Sequence, residues 1–192
     1  MAISPVKTRR WTRVEYDRLI DAGFFHPGEK LELLAGDLVV REPQGGPHMT
    51  AIGLAEDALR TAFGSGWIVR TQGPIALDDE TEPEPDVAVV RGSRRDYVAG
   101  HPGRPALLVE VAESSLAFDR EQKGSLYARA RVPEYWIVNL VDRVLEVYRE
   151  PGADPAAPYG WCYTALLRLG PADWVSPLAA PGARIPVADL LP

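Results

Sequence analysis

The sequence predicts a mixed α/β or α+β domain built around a central β-sheet. Segments with apolar residues at helical spacing alternate along the chain with short apolar runs that are typical of strands. The predicted order is α, ββ, α, ββ, β, α, ββ, β, which places helices against a sheet. The 192 residues are 46% hydrophobic, enough to bury one core. We therefore expect a single domain over residues 1–192, with its core at about 12–169 and a tail at 170–192.

The first half of the chain predicts two helices separated by a β-hairpin. Thr12 and Glu15 have the spacing of a capping box, and Gly23 is a stop signal for the helix that they begin. A second run of apolar residues at helical spacing ends before Gly64. The expected elements are a helix at about 13–22, strands at 30–34 and 38–41 around a turn at 35–37, and a helix at 48–63.

The second half of the chain predicts mostly strands. The segment ALLVEVA at 106–112 is short and almost wholly apolar, the pattern of a strand buried on both faces. The acidic stretch 78–84 is expected to form the exposed turn of a hairpin. The other expected elements are strands at 67–77 and 85–90, a helix from Ser114 to about 130, strands at 134–140, 144–150 and 161–169, and an irregular tail that packs through Trp174, Leu178 and Ile185.

Composition and charge limit the classes of function. Charged residues make up 25% and aromatic residues 8% of the chain, which argues against a disordered or fibrous protein. The 21 Lys and Arg against 27 Asp and Glu give a net charge of -6, the wrong sign for a protein that grips nucleic acid mainly through its phosphates. A local basic strip would still hold a strand, and its candidates are Arg91, Arg94, Arg95 and Arg104.

Cysteine usage and the N-terminal stretch bear on the compartment. Cys162 is the only cysteine, which excludes an internal disulfide and any zinc site that needs two or more cysteines from one chain. The N-terminal MAISPVKTRR is basic but is followed by no apolar stretch, and no run of about eighteen apolar residues occurs. We expect a cytoplasmic protein without an export signal or a membrane span.

Two acids on neighbouring predicted strands form the first part of a candidate active site. Glu110 interrupts an otherwise apolar strand, and an ionised side chain there costs several kcal/mol unless it is paired or binds a metal. Asp86 begins the preceding strand, so adjacent strands would bring both carboxylates to one edge of the sheet. Carboxylate oxygens are the ligands that Mg²⁺ and Mn²⁺ prefer. Read alone, Asp86 after Pro85 also fits an ordinary turn residue.

A lysine on the following helix completes the constellation. Asp119, Lys123 and Tyr127 are spaced by four and share one helix face. An ammonium beside two carboxylates and a metal is suited to phosphodiester hydrolysis, because it orients the attacking water and neutralises charge in the transition state. The alternative for Lys123 is a solvated helix residue with no role in chemistry.

These motifs together resemble the Uma-two family of restriction endonucleases, which is placed in the PD-(D/E)XK nuclease superfamily. The similarity begins at the first helix and its LELLAGD hairpin and extends to about Glu150. The segments that carry it are EPEPDVAVV at 82–90, LVEVA at 108–112, Asp119-Arg120 with Lys123 and Tyr127, and VPEYWIV at 132–138.

The resemblance implies a restriction-endonuclease-like fold, a central mixed β-sheet flanked by helices, and a Mg²⁺- or Mn²⁺-dependent endonuclease. Asp86 and Glu110 would bind the metal, the backbone carbonyl of Val111 would complete the coordination, and Lys123 would act on the water or the transition state. Two positions come from the resemblance alone: Glu32 as a further metal or water contact, and His48 at the start of the second helix. The expected substrate is nucleic acid, with DNA favoured, and the expected assembly is a homodimer.

Simple structural interpretations remain open for the last two residues. Glu32 also fits an exposed strand position, and His48 a helix cap or a hydrogen-bonded histidine without a role in chemistry. The neighbouring acids Glu82 and Glu84 are expected to be solvated.

The chain departs from the related patterns at three positions. Ala112 stands where the wider superfamily has its lysine, which the resemblance transfers to Lys123. Arg131 replaces a glycine that commonly ends the helix, and Asn139 replaces an acid. A left-handed conformation at Arg131 would cost roughly 1 kcal/mol, so we interpret both changes as local variation.

Two other functions compete with the nuclease. A non-catalytic module that keeps the fold for binding or assembly agrees with the acidic charge balance. A hydrolase of small phosphate esters would use the same three side chains on a smaller substrate.

Overall fold

The computed structural model describes residues 8–41 and 43–192. Residues 1–7, which hold most of the stretch considered as a leader, lie outside the described residues, as does residue 42. The strands are β1 (Leu31–Leu34), β2 (Asp37–Val40), β3 (Trp67–Thr71), β4 (Val87–Arg91), β5 (Leu107–Ala112), β6 (Glu134–Asn139), β7 (Val144–Ala153), β8 (Trp161–Leu169), β9 (Trp174–Val175) and β10 (Ile185–Pro186). The α-helices are α1 (Arg13–Asp21), α2 (Gly46–Phe63), α3 (Leu116–Phe118) and α4 (Gly124–Arg129), with a π-helical turn at Asp119–Lys123 and 3₁₀ turns at Arg94–Tyr97 and Val187–Leu190.

A six-stranded mixed sheet forms the centre of the fold. Its strand order is β3-β4-β5-β6-β7-β8, and all neighbours are antiparallel except β5 and β6, which run parallel. Parallel neighbours need a crossover connection, and the helical segment from α3 to α4 supplies it. The predicted mixed α/β fold with a central sheet is confirmed.

Alternation along the strands gives the sheet two buried faces. Val87, Val89 and Val109 lie in a core that includes α2 and the C-terminal residues. Ala88 and Leu108 point the other way, into a core that includes α4. Asp86 and Glu110 have the same parity as this second row, so the strand geometry places both carboxylates on the side of α4.

The β1–β2 hairpin attaches to the segment between β3 and β4. Leu33 and Glu82 exchange backbone hydrogen bonds of 3.3 and 2.7 Å, which places β1 beside the start of β4. The prediction of an exposed turn at 78–84 is therefore wrong in part, because Asp78 and Asp79 are exposed whereas Thr81, Glu82 and Pro83 are buried. Glu82 is not solvated but is paired with Arg13 at 2.8 Å.

Strand β3 is shorter than predicted. It ends at Thr71 and not at Leu77, although its antiparallel pairing with β4 is as expected. Gln72 has a positive φ of 48° and is followed by Gly73-Pro74, and this backbone cannot continue a ladder. The segment that follows leaves the β3–β4 ladder, and Glu82 within it pairs with Leu33 of β1.

Helix α1 has the predicted capping box, but two of its apolar residues face solvent. Thr12 and Glu15 make the reciprocal cap bonds, whereas Val14 and Ile20 are 60% and 50% exposed. Tyr16 is the buried residue, and its hydroxyl donates to the Leu31 carbonyl at 2.9 Å. No helix in the described part of the chain has the length and apolar character needed to cross a membrane.

The C-terminal tail is more ordered than predicted. Trp174 and Leu178 were expected to anchor it, but they are 50% and 47% exposed. Val175 and Ile185 pair in the short β9–β10 ladder and are buried, and Leu190 joins the same core. Of the three predicted anchors, only Ile185 packs on the body.

Candidate active site

A cavity of about 350 Å³ opens where β4 begins and β5 ends. The β1–β2 hairpin, the start of α2 and the π-helical turn enclose it. Every residue that the sequence assigned to the site lines this cavity: Glu32, His48, Asp86, Glu110, Val111 and Lys123.

Glu110 is a buried acid of the cavity, and both of its carboxylate oxygens have hydrogen-bond partners. Its Oε1 accepts hydrogen bonds from the Tyr127 hydroxyl at 2.7 Å and from Lys123 Nζ at 3.0 Å. Its Oε2 lies 3.4 Å from the backbone N of Asp86. Burial raises the pKa of Glu110 to about 8, with Lys123 opposing the shift and the negative charge of Asp86 adding to it. The expectation that a partner compensates this acid is met by Lys123 and Tyr127.

Asp86 accepts four hydrogen bonds. Arg41 Nη2 and Gln44 Nε2 each donate to Oδ1 at 3.1 Å. His48 Nε2 lies 3.1 Å from Oδ2, and the backbone N–H of Val111 donates to the same oxygen at 2.9 Å. Burial alone would raise the pKa of Asp86, but the bonds from His48 and Val111 outweigh it and hold the pKa below its usual value. Asp86 is therefore a carboxylate at neutral pH and not an ordinary turn residue.

Lys123 reaches the acids from the π-helical turn. Its Nζ lies 3.0 Å from Glu110 Oε1 and 3.2 Å from Glu32 Oε2, and the residue is only 6% exposed. Burial opposes the charge, but Glu110 and Glu32 outweigh it and raise the pKa of Lys123 above its usual value. The solvated-helix alternative is excluded for this lysine. A π-turn inside an α-helix is often found at functional sites, because the extra residue redirects the side chains that it carries.

Glu32 and Arg41 project from the same face of the hairpin. Glu32 is 1% exposed, which excludes the exposed-strand interpretation. Arg41 Nε lies 3.3 Å from Glu32 Oε1, and its Nη1 lies 3.3 Å from Glu84 Oε2. Sequence reasoning missed Arg41, although the hairpin register contained the signal. Glu32 is opposite Val39, and the next residue of that face after Val39 is Arg41.

Negative charge exceeds positive charge around the cavity. The described acids that line the cavity are Glu32, Asp86, Glu110, Glu113 and Asp119, and Glu84 is paired with the lining residue Arg41. The lysine and arginine side chains among the described lining residues are Arg41 and Lys123. Burial is the first cause that raises the pKa of Glu84, Glu110 and Asp119, and neighbouring carboxylates add to it in each case. A further cation in this cavity would stabilise the charged form of all these acids.

Comparison with known proteins places this arrangement in a family. The Uma2 family, described as "Putative restriction endonuclease", matches residues 13–188. The chain belongs to the Uma2 family. Membership of this family supports nuclease activity for the chain.

A solved structure shares the fold of this Uma2 chain. It is described as "a putative nuclease belonging to DUF820" from Anabaena variabilis ATCC 29413, and it aligns with a TM-score of 0.67 at 13% identity. The alignment covers 94% of the Uma2 chain and 97% of that chain, so the likeness extends over nearly the whole fold. No curated protein matches the chain significantly.

The carboxylate oxygens that line the Uma2 cavity are the kind of ligand that a hard cation such as Mg²⁺ prefers. Within residues 8–41 and 43–192, no three His, Cys, Asp or Glu side chains converge as a ready metal cluster. Mg²⁺ commonly takes only one or two carboxylates and keeps several waters. The carboxylates of Asp86 and Glu110 both line the cavity, and the Asp86 backbone N–H lies 3.4 Å from the Glu110 carboxylate. Two carboxylates of this kind fit that requirement.

The predicted basic strip does not lie beside the Uma2 cavity. Arg91, Arg94, Arg95 and Arg104 are exposed, but Arg91 ends β4 whereas Asp86 precedes its first residue. Five residues of extended strand span roughly 16 Å. None of these four arginines lines the cavity, and Arg91 lies at the opposite end of β4 from Asp86.

The departures from the family pattern lie outside the cavity lining. Ala112 is fully buried in the core beside α4, on the same strand face as Glu110, and Lys123 supplies the amine of the cavity from the π-helical turn. Arg131 has a φ of 56°, so it adopts the left-handed conformation whose cost was considered for this position. Asn139 donates to Glu146 at 2.8 Å, a bond that an ionised acid could not make. These positions affect the local backbone and not the candidate site.

Proposed function

We propose that the cavity is the active centre of a Mg²⁺- or Mn²⁺-dependent endonuclease that hydrolyses phosphodiester bonds of nucleic acid, with DNA as the expected substrate. One observation carries the proposal. A buried lysine amine lies 3.0 Å from Glu110, whose other carboxylate oxygen is 3.4 Å from the backbone of Asp86, in a cavity that is open to solvent. Membership of the Uma2 family agrees with it.

Asp86 and Glu110 would hold the metal. In an extended strand the N–H and C=O of one residue point to the same side, so the carbonyl of Val111, whose N–H bonds Asp86, faces the same cavity. This carbonyl is the third donor of the proposed site. When bound, the metal would supply positive charge at the scissile phosphate and lower the pKa of the attacking water.

Lys123 would act on the water or on the transition state. Its ammonium is held between Glu110 and Glu32, so it is fixed without depending on the substrate. A fixed positive charge in a buried site stabilises charge that develops on the phosphate more strongly than it would in water. Glu32 is then a positioning residue for Lys123, and His48 is one for Asp86 through its 3.1 Å contact.

Plasmid nicking tests the proposal. Purified protein with supercoiled plasmid should nick it in Mg²⁺ or Mn²⁺ and not in EDTA, and Asp86→Ala and Lys123→Ala should each lower the rate at least about 100-fold. Arg168→Gln is the matched control, because Arg168 pairs with Asp142 on the surface away from the cavity lining. Metal-dependent nicking that is equal in wild type, Asp86→Ala and Lys123→Ala would contradict the proposal.

The charge balance favours one alternative substrate. The net charge is -6 and the basic strip adjoins the far end of β4, so duplex binding has little support from phosphate contacts near the cavity. A small phosphate diester needs no such support. Turnover of bis-p-nitrophenyl phosphate that depends on Asp86 and Lys123, without cleavage of plasmid or single-stranded DNA, would select this alternative.

The non-catalytic alternative differs in metal binding. A binding or assembly module would show no divalent-ion heat that depends on Asp86 and Glu110 in titration calorimetry. The nuclease proposal expects such heat in the wild type and its loss in Asp86→Ala. A homodimer is the assembly that we propose for double-strand cleavage, and light scattering with and without duplex DNA tests it.

A further inference from the structure

Arg41 is paired with carboxylates at the cavity, including that of Asp86, one of the two proposed metal ligands. Its guanidinium contacts three carboxylates, Glu32 at 3.3 Å, Glu84 at 3.3 Å and Asp86 at 3.1 Å. The side chain is only 10% exposed, yet Arg41 lines the open cavity. Much of the negative charge that a divalent ion would use is thus already engaged by this residue.

Asp86 has no acceptor position to spare in this arrangement. A carboxylate offers about four lone-pair sites, and Asp86 receives hydrogen bonds from Arg41, Gln44, His48 and the backbone of Val111. A metal ligand must present a free lone pair. Therefore one of these four donors has to leave before Asp86 can bind an ion.

The charge of each donor, and how firmly it is held, indicate which of the four hydrogen bonds to Asp86 breaks when an ion binds. The Val111 N–H belongs to strand β5 and is fixed by the sheet. Gln44 is held from behind, because its carbonyl oxygen accepts a 2.6 Å bond from Gln72 Nε2. Among the four described donors, Arg41 is the one with a positive charge at every accessible pH, so it repels an arriving cation most strongly.

We propose that Arg41 is a displaceable counterion: it neutralises Asp86 and Glu32 in the metal-free protein, and on metal binding its guanidinium transfers to the oxygens of the scissile phosphate. This inference rests on the proposed function. The planar fork of a guanidinium matches a phosphate group as well as it matches a carboxylate, so the exchange replaces one set of charge-assisted bonds by another. The same residue then contributes first to stability and later to substrate binding.

Mn²⁺ binding to the full-length Arg41→Gln variant tests the displacement. With no guanidinium to displace, calorimetry in Mn²⁺ should give a Kd at least about threefold lower than in the wild type, whereas Arg41→Lys should stay closer to the wild type. Plasmid cleavage at saturating Mn²⁺ should fall about 100-fold in Arg41→Gln, because the phosphate loses its partner. Arg149→Gln is the matched control: Arg149 pairs at 2.6 Å with the buried Glu134 and does not line the cavity, so its Kd for Mn²⁺ should be unchanged.

The outcomes separate this inference from the proposed function. A Kd in Arg41→Gln that equals or exceeds the wild-type value, with cleavage lost in Asp86→Ala, would overturn the displacement and leave the nuclease standing. Tighter Mn²⁺ binding with unchanged cleavage would overturn the transfer to phosphate. No Mn²⁺ binding in either protein would overturn both the inference and the proposed function. Thermal melts in Mn²⁺ identify a variant that fails to fold, and Arg41→Lys then carries the cleavage comparison.

Discussion

At the scale of single residues, the candidate site depends on one buried ion pair. Glu110 and Lys123 are 2% and 6% exposed, and the 3.0 Å contact between them stabilises the charged form of each against the effect of burial. Removing one partner of a buried pair leaves an uncompensated charge, whereas removing both does not. The two side chains should therefore be strongly coupled in stability as well as in activity.

Lys123→Met should lower the free energy of unfolding by about 3–5 kcal/mol in metal-free protein, because it leaves Glu110 and Glu32 without their shared cation. The double variant Glu110→Gln, Lys123→Met should recover much of that loss. Urea unfolding in EDTA measures both, with the exposed Lys30→Met as control. Additive losses in the double variant would show that the pair is not coupled.

The sequence predicted the residues whose signal is local. An acid inside an apolar strand and a lysine on the next helix are visible without a fold, and Glu110 and Lys123 were identified in this way. Arg41 was missed and Glu82 was judged solvated, because their surroundings are created by β1 docking on the segment before β4. That docking joins parts of the chain far apart in sequence and leaves no periodic signal.

At the scale of secondary-structure elements, backbone conformation places the site and also stores strain. Arg131 ends α4 with a φ of 56°, a conformation in which a side chain is unfavourable. Its guanidinium lies 5.5 Å from the Trp161 ring centroid, a contact that offsets part of the cost.

Arg131→Gly and Arg131→Ala separate the strain from this contact, since both variants lose the guanidinium. We expect Arg131→Gly to be about 1 kcal/mol more stable than Arg131→Ala, because only glycine accepts the left-handed backbone without a steric cost. Guanidinium chloride unfolding measures the difference. Equal stability of the two variants would mean that the left-handed conformation carries no strain.

Strand β7 carries a buried acid, Glu146, and this acid gives the stability of the protein a pH dependence that is independent of the cavity. Glu146 is 2% exposed; burial would raise its pKa, but bonds from Arg120, Asn139 and Tyr148 outweigh burial and lower the pKa below its usual value. A carboxyl group whose pKa is depressed in the folded state stabilises the fold above its unfolded pKa, and this stabilisation is lost as the pH falls.

Glu146→Gln should therefore be less stable than wild type at pH 6 to 7, and the difference should shrink as the pH falls below about 4. Urea unfolding of the two proteins from pH 7 to pH 3 measures the difference directly. Other acids titrate over the same range in both proteins and cancel in the comparison. A stability difference that does not change with pH would contradict the depressed pKa of Glu146.

The bounds of helices and strands were predicted well where the spacing of apolar residues determines them. They were predicted poorly where tertiary packing determines them. Strand β8 was predicted at 161–169 and observed at Trp161–Leu169, and α2 ends before Gly64 as expected. The early end of β3 depends on the positive φ of Gln72 and on Gly73-Pro74, and the Gly-Pro pair was a sequence signal that the prediction of a strand to Leu77 did not use. In the tail, the choice of Val175 over Trp174 as the buried residue depends on the β9–β10 pairing, which two-residue strands do not reveal in advance.

At the scale of the whole molecule, the distribution of charge limits how a substrate is held. The net charge is -6, and the basic strip follows the end of β4 that is remote from Asp86. The permanent cations that line the cavity are Arg41 and Lys123, as far as the described residues extend. Few phosphates can then be neutralised near the site.

Substrate affinity should therefore depend weakly on salt. Each phosphate that a protein neutralises on duplex DNA contributes about -0.9 to the slope of log K against log salt, so we expect a slope no steeper than about -2. Fluorescence anisotropy of a labelled duplex at fixed Ca²⁺ and increasing KCl measures it. A much steeper slope would mean that a larger cationic surface, such as the remote strip or a second copy of the chain, holds the substrate.

We propose that Asp86 and Glu110 lie together in a buried cavity because they bind a divalent ion beside Lys123. Anomalous scattering from a crystal soaked in Mn²⁺ would locate this ion. We predict a single strong anomalous peak in the cavity, in contact with carboxylate oxygens of both acids, with the Arg41 guanidinium displaced from Asp86. A fully soaked crystal with no peak there, or with Mn²⁺ only on surface acids, would contradict the account.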